Sequence, residues 1–216
     1  MMEKRKRQHI LFWILLAGIL VVDQIVKILV KTNMHIGEEI PLIGNWCMLH
    51  FVENQGFAFG MAWGGSVGKY ILSAFRLVAS IGLTWYLFHI IKKGARTPLV
   101  ICLSLIVAGA IGNLIDSCFY GIIFNESYFN VAQLFPPEGG YAPFMQGRVV
   151  DMFYFPIIDT TLPAWLPFWG DKPFVFFNAI FNVADAAITI GAIWLIIDQL
   201  FFSPKKEENT ETIENK

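Results

Sequence analysis

The chain has 216 residues, of which 56% are hydrophobic and 15% are charged, and its mean hydropathy is +0.55. This apolar excess is larger than that of an ordinary water-soluble domain, and it predicts that a lipid bilayer covers much of the surface. The net charge of −1 provides no overall attraction for nucleic acid, so no nucleic-acid partner is expected.

Four apolar segments are long enough to cross a bilayer, because about 20 helical residues span a hydrocarbon core of about 30 Å. These segments are residues 10–30, 70–91, 98–121 and 174–202. Lys and Arg residues cluster in the N-terminus (1–9), in the connection 92–97, and after the fourth span at Lys205 and Lys206. The positive-inside rule therefore predicts that both termini and this connection are cytoplasmic.

The first apolar segment has a second interpretation, because a basic start followed by an apolar stretch is also typical of a cleavable signal peptide. The stretch is too long for that purpose, no A-x-A cleavage site follows it, and Asp23 and Lys27 lie in its second half. We therefore predict a retained membrane span.

Two long segments, 31–69 and 122–173, are left on the outer side of the membrane, and the tail 203–216 is polar and cytoplasmic. Turn residues and short strand-like runs in 31–69 predict a small β element. The aromatic residues of 122–173 are typical of a membrane interface. The expected fold class is an all-α membrane protein with four transmembrane helices, a small β element and an extra interfacial insertion.

Polar residues at membrane depth are the most informative feature, since each needs a partner or a function. In the first span Asp23 and Lys27 are four residues apart on one helix face, which indicates either a neutralised pair or a contribution to substrate binding. In the third span Gly109 and Gly112 allow close helix packing. Asn113 and Asp116 share a face of that span.

The fourth span is predicted to carry one polar stripe on an apolar helix, formed by Asn178, Asn182, Asp185 and Thr189 at spacings of 4, 3 and 4. Asn and Thr residues often hold helices together, but a carboxylate is harder to accommodate without a function.

Asp151 lies where the aromatic run GRVVDMFYF returns towards the membrane. Asp151 and Asp185 are too far apart along the chain to share a helix. If the bundle brings them together in a low-dielectric pocket, the two carboxyl groups will share one proton. The carboxylate can then take a proton from water while the acid polarises a scissile carbonyl, as in aspartic proteases. The pattern therefore predicts that Asp151 and Asp185 are catalytic.

Other chemistries have less support. The four histidines are scattered without an H-E-x-x-H cluster, so no metal and no cofactor are expected. Ser66 and Lys69 lie in a glycine-rich stretch, where we expect a solvated lysine in a loop and no Ser/Lys hydrolase. The three cysteines lack CxxC spacing and are interpreted as packing residues.

Five sequence blocks, in order, resemble the lipoprotein signal peptidases, also called signal peptidase II. They are VVDQIVK from residue 21, ENQGFAFG from residue 53, GAIGNLID from residue 109, RVVDMF from residue 148 and FNVADAAI from residue 181. The resemblance covers nearly all of the chain except its tails and one insertion.

The resemblance implies that Asp151 and Asp185 form an aspartyl catalytic dyad and that residues 31–69 form a periplasmic β-cradle. The residues implied to shape or support the pocket are Asp23, Lys27, Asn54, Gly56, Gly109, Asn113, Asp116, Asn182 and Ala184. The implied substrate is a prolipoprotein with a diacylglyceryl cysteine, cleaved on the amino side of that cysteine. The implied location is the bacterial inner membrane, with a monomer among membrane lipids and the site near the periplasmic face.

Two features depart from the family pattern. Ser117 stands where the family usually has Arg directly after Asp116, and we expect Arg148 or Arg76 to supply the missing cation. Residues 122–147 are longer than the family's usual turn, and their composition is compatible with an ordered interfacial lid or with a lipid-contacting loop without catalytic function.

Two alternatives from other classes stay open at this point. Intramembrane Asp and Asn residues also line ion or proton pathways in small transporters and channel subunits, although repeated halves with matching broken helices are absent here. A non-enzymatic scaffold, in which polar residues only bind helices together, is the third interpretation.

Overall fold

The computed structural model describes residues 2–56 and 65–202. Four of the described helices are long and apolar enough to cross a membrane: Met2–Asn33, Gly65–Lys92, Thr97–Ile123 and Val183–Phe202. The prediction of four membrane helices with a small β element is confirmed. Gly60 of the ENQGFAFG block, residues 57–64 of the predicted β element, and the tail 203–216 with Lys205 and Lys206 lie outside the described residues.

Helix α1 (Met2–Asn33) begins at Met2 and not near residue 10, because no Gly or Pro interrupts the basic start. Helix α2 is Gly65–Lys92. The third membrane helix consists of α3 (Thr97–Ile115), a π-helical turn (Asp116–Tyr120) and the short α4 (Gly121–Ile123).

The fourth membrane helix corrects a sequence-based prediction. Helix α5 (Val183–Ile197), extended by a π-helical turn (Asp198–Phe202), begins at Val183 and not at residue 174. The helix starts there because the Asn182 side chain accepts a hydrogen bond from the Asp185 backbone, as an N-cap residue does. The predicted stripe is therefore wrong in its first half, since Asn178 lies in an irregular segment before the helix and Asn182 is the N-cap.

A four-stranded antiparallel sheet, in the order β1-β2-β3-β6, lies at one end of the bundle. Its strands are β1 (Glu39–Ile43), β2 (Cys47–Asn54), β3 (Val149–Tyr154) and β6 (Ile180–Phe181). Asp151 on β3 pairs with Val52 on β2, so the strand that carries the first candidate aspartate is held on both sides.

A second hairpin of β4 (Ile158–Thr161) and β5 (Pro173–Phe176) extends from the sheet between Asp151 and Asp185. Its connecting turn exposes Trp165 and Phe168, of which 77% and 91% are accessible. Exposed aromatic rings of this kind are typical of a surface that meets the membrane interface.

The insertion 122–147 is folded back onto the third helix by backbone hydrogen bonds. The Tyr141 N–H donates to the Phe124 carbonyl and the Ala142 N–H donates to the Gly121 carbonyl, both over 2.9 Å. Buried side chains that share one hydrophobic cluster then join the insertion to α1, β2 and β3: Val30, Phe51, Tyr120, Phe124, Ala132, Val150 and Met152.

Candidate active site

Asp151 and Asp185 are bridged by one residue, Asn182, which donates a hydrogen bond to each carboxyl group. Asp151 lies in the middle of β3 with 4% of its surface exposed, and Asp185 lies in the first turn of α5. The Asn182 amide donates to Asp151 Oδ1 over 2.7 Å, and the Asn182 backbone N–H donates to Asp185 Oδ2 over 3.4 Å. The junction between β6 and α5 therefore holds a carboxyl group on each side.

Two further amides complete this arrangement. Asn54, at the end of β2, donates to Asp151 Oδ2 over 3.2 Å, and Asn113, on α3, donates to Asp185 Oδ1 over 2.7 Å. Each of the four carboxyl oxygens thus accepts a hydrogen bond from a neutral N–H group. Neutral donors position the carboxyl groups without neutralising their charge.

The electrostatic consequence is clearest at Asp151. Burial raises the pKa of its carboxyl group from the ordinary value of 3.8 to about 7, and the negative charge of Asp185 acts in the same direction. Hydrogen bonds from Asn54 and Asn182 oppose this rise only in part. Near neutral pH, both the protonated and the ionised forms of Asp151 are therefore populated.

A second group of acids lies beside the first, and it contains a cation. Lys27 Nζ is 3.0 Å from Asp23 Oδ2 and 2.8 Å from Asp116 Oδ2, and all three side chains are fully buried. Asp23 Oδ1 accepts the Ala184 N–H over 2.9 Å, and Lys27 also donates to Asn113 Oδ1 over 3.0 Å. This group links α1 and α3 to the start of α5.

The cation expected opposite Ser117 is Arg76. Arg76 Nη1 donates to the Ser117 hydroxyl over 2.7 Å, and its guanidinium is within electrostatic range of Asp185, Asp116 and Asp151. Arg148 is held elsewhere, with its Nη1 2.8 Å from Glu53 Oε2 and paired also with Glu126.

Two glycines permit close approaches that a side chain would prevent. A Cβ at Gly109 would overlap the Ala184 carbonyl oxygen, so α3 and α5 touch backbone to backbone. Gly56 has a φ of +86°, its N–H donates to Asn54 Oδ1 over 2.7 Å, and a Cβ there would lie 2.5 Å from Arg76 Nη2. Both therefore help to position the amides and the cation.

Every pocket residue named from the sequence lies in or beside these two groups, with Gly112 also facing Asp23. Sequence reasoning missed Gln24 as a bridging residue, although its amide donates to Asp116 Oδ1 over 3.0 Å and its Oε1 accepts from the Tyr120 hydroxyl over 3.1 Å. The signal was present, because Gln24 is one more polar side chain within an apolar span.

Lys69 is a second correction. It is 3% exposed and lies on α2, so the expectation of a solvated lysine in a loop is wrong.

Over residues 2–56 and 65–202, no group of three or more His, Cys, Asp or Glu side chains is arranged to hold a metal ion.

The fold and the site together define a multi-pass membrane protein that buries acidic and amide side chains at one end of its helix bundle. The family model for signal peptidase (SPase) II matches residues 15–201. A lipoprotein signal peptidase of Porphyromonas gingivalis is 50% identical over 184 residues, which are 85% of this chain and 80% of that protein. A lipoprotein signal peptidase of Amoebophilus asiaticus is 34% identical over 83% of this chain and 73% of its own.

A solved structure described as "Bacterial membrane enzyme structure by the in meso method at 2.3 A resolution" has the same fold, with a TM-score of 0.58 and 24% identity. The alignment covers 91% of this chain and 92% of that chain. The chain therefore belongs to the signal peptidase II family, and the resemblance seen in the sequence is confirmed. The family is one of membrane peptidases, so the transporter and scaffold interpretations lose their support.

Proposed function

We propose that this chain is an intramembrane aspartyl endopeptidase that removes the signal peptide from prolipoproteins with a diacylglyceryl cysteine, cutting on the amino side of that cysteine. The observation that carries the proposal is the position of Asn182, which donates from its side chain to Asp151 and from its backbone to Asp185. Both carboxyl groups belong to one chain, so a monomer contains the whole dyad.

In this mechanism the two carboxyl groups hold one proton between them. The ionised carboxyl group takes a proton from water while the oxygen of that water attacks the scissile carbonyl carbon, and the protonated carboxyl group donates to the carbonyl oxygen. The tetrahedral intermediate then breaks its C–N bond, and the cysteine nitrogen receives a proton from the dyad. A pKa of about 7 at Asp151 suits a group that gives and accepts protons at neutral pH.

The charge distribution supports a site near the outer face of the bacterial inner membrane. The Gln8 amide donates to the Ala95 carbonyl over 3.0 Å and Arg96 pairs with Asp198, so the N-terminal basic run, the connection 92–97 and the end of α5 share one end of the bundle. The sheet and both candidate aspartates lie at the other end. With the basic end in the cytoplasm, both termini are cytoplasmic and the dyad lies towards the periplasm.

The test is cleavage of a lipidated prolipoprotein by the purified chain in lipid nanodiscs. We expect Asp151→Asn and Asp185→Asn each to lower the cleavage rate by about 10³- to 10⁴-fold while the protein stays folded, because each removes a proton-transferring group and keeps the shape of the side chain. Mass spectrometry of the released peptide identifies the cut.

The matched control is Asp159→Asn, which changes an exposed aspartate on β4 and should leave the rate unchanged. A prolipoprotein without the diacylglyceryl group should be cleaved slowly or not at all. Turnover by either dyad variant within a few-fold of the wild-type rate would refute the aspartyl mechanism.

A further inference from the structure

A cavity of about 320 Å³ lies between the start of α2, the end of β2 and the insertion. It is adjacent to the candidate active site, since its wall includes Gln55, the neighbour of Asn54. Its wall also includes Ser66, Lys69, Tyr141, Gln146 and Arg148. Gly65 and Ser66 are exposed, so the cavity is accessible from outside.

Lys69 is the unusual member of this wall. Its Nζ donates to the Gln55 carbonyl over 3.1 Å, and it forms no ion pair with a carboxylate among the described residues. Glu53, the acidic group that acts on it through space, is already paired with both Lys31 and Arg148. Residues 57–64, which precede α2 in the sequence, include no Asp or Glu.

A buried ammonium group without a counter-charge is expensive, and at the start of a membrane helix it normally indicates a partner or a function. The surrounding groups favour an anionic partner. The charge of Arg148 is compensated by Glu53 and Glu126, so Lys69 is the cation of this wall that has no carboxylate partner among the described residues. The Tyr141 hydroxyl accepts the Arg148 backbone N–H over 2.6 Å and keeps its own proton for donation. The N-terminal turn of α2 adds backbone N–H groups and the positive end of the helix dipole.

We infer that this cavity binds a phosphate group, and that the source is the headgroup of an anionic phospholipid. The cavity has the size of a small-molecule site. It also lies where a membrane-spanning helix begins, which is the level at which phospholipid headgroups surround the protein. Lipid binding in this cavity does not depend on the proposed proteolysis.

The test uses the full chain in detergent with native mass spectrometry as the readout of bound lipid. Three probes are titrated separately: phosphatidylglycerol, a galactosyl diacylglycerol with the same acyl chains and no phosphate, and inorganic phosphate. We expect phosphatidylglycerol to bind about five- to tenfold more tightly than the galactolipid. If inorganic phosphate displaces phosphatidylglycerol at equal concentration, the source is free phosphate.

Two variants and one control make the test specific to Lys69. Lys69→Met should weaken phosphatidylglycerol binding about five- to tenfold, and Lys69→Arg, which keeps the charge, should retain most of it. Lys92→Met removes an exposed lysine at the opposite end of α2 and should have no effect. Equal binding of both lipids by the wild type, or unchanged phosphatidylglycerol binding in a folded Lys69→Met protein, would overturn the inference.

Discussion

Two pairs of aspartates lie side by side in this protein, and their surroundings differ in one respect. Asp23 and Asp116 are fully buried and share the ammonium group of Lys27 at 3.0 and 2.8 Å. Asp151 and Asp185 accept hydrogen bonds from Asn54, Asn113 and Asn182 and have no lysine between them.

The difference shows how aspartate can either join helices or transfer protons in a membrane protein, depending on its neighbours. A cation between two carboxyl groups offsets their negative charge and joins them by ion pairs, so that pair is suited to holding helices together. Neutral amides fix the position of a carboxyl group and leave its proton free to move, so the other pair is suited to acid–base chemistry. The two pairs therefore predict different effects of substitution, and a pH effect is expected at Asp151.

The largest effect on stability is expected from Lys27→Met. This change leaves two buried carboxylates without their cation and should lower the free energy of unfolding by about 3–5 kcal/mol. Thermal unfolding in detergent measures the loss. Adding Asp116→Asn should recover part of it, because only one uncompensated carboxylate then remains. A Lys27→Met protein as stable as an exposed Lys92→Met control would contradict the structural assignment of this pair.

A smaller effect, specific to the other pair, is expected from pH. The folded-state pKa of Asp151, about 7, is above its ordinary value of 3.8, so the folded chain keeps a proton that the unfolded chain has lost. Asp151 therefore makes stability fall as pH rises from about 4 to about 7, by at most about 4 kcal/mol. Asp151→Asn should remove this slope in unfolding measurements across that range. An unchanged slope would show that Asp151 ionises normally.

The smallest stability effect is expected at the residue that touches both candidate carboxyl groups. Asn182→Ala removes the N-cap of α5 and should lower stability by about 1 kcal/mol. Its effect on cleavage should be larger, because the amide that positions Asp151 is lost together with the cap. Asn178→Ala, four residues earlier and outside the helix, is the control for both measurements. Equal losses of cleavage rate in the Asn182→Ala and Asn178→Ala variants would show that Asn182 does not position Asp151.

Much of this architecture could be predicted because bilayers restrict what a sequence may contain. Apolar runs of sufficient length indicated the four spans, and Asp, Asn and Lys residues within or beside those runs identified both acidic groups. The hydrogen-bond and ion-pair partners of these residues are harder to predict from the sequence. The sequence leaves Arg76 and Arg148 as alternatives for the cation beside Ser117, and only the packing of α2 against α3 selects Arg76.

The start of α5 could not be located from hydrophobicity alone. The run from Pro173 to Phe176 is apolar and continuous with the helix in sequence, and a short apolar run fits a strand as well as a helix. The capping pattern of Asn182 and Asp185 was the available signal, since a cap residue followed three positions later by an acid marks a helix N-terminus. The spacing of polar residues alone instead places Asn182 on a stripe along a helix.

The pairing of β3 with β6 has a practical consequence for engineering. Phe153 lies opposite Phe181 and Tyr154 lies opposite Ile180. The segment between these two pairs is therefore a long loop, and the sheet fixes both of its ends. Lengthening a loop whose ends are already fixed adds little entropic penalty. The exposed turn near Trp165 is therefore a permissive place to insert an epitope or a fluorophore, which would report on membrane contact without displacing either aspartate.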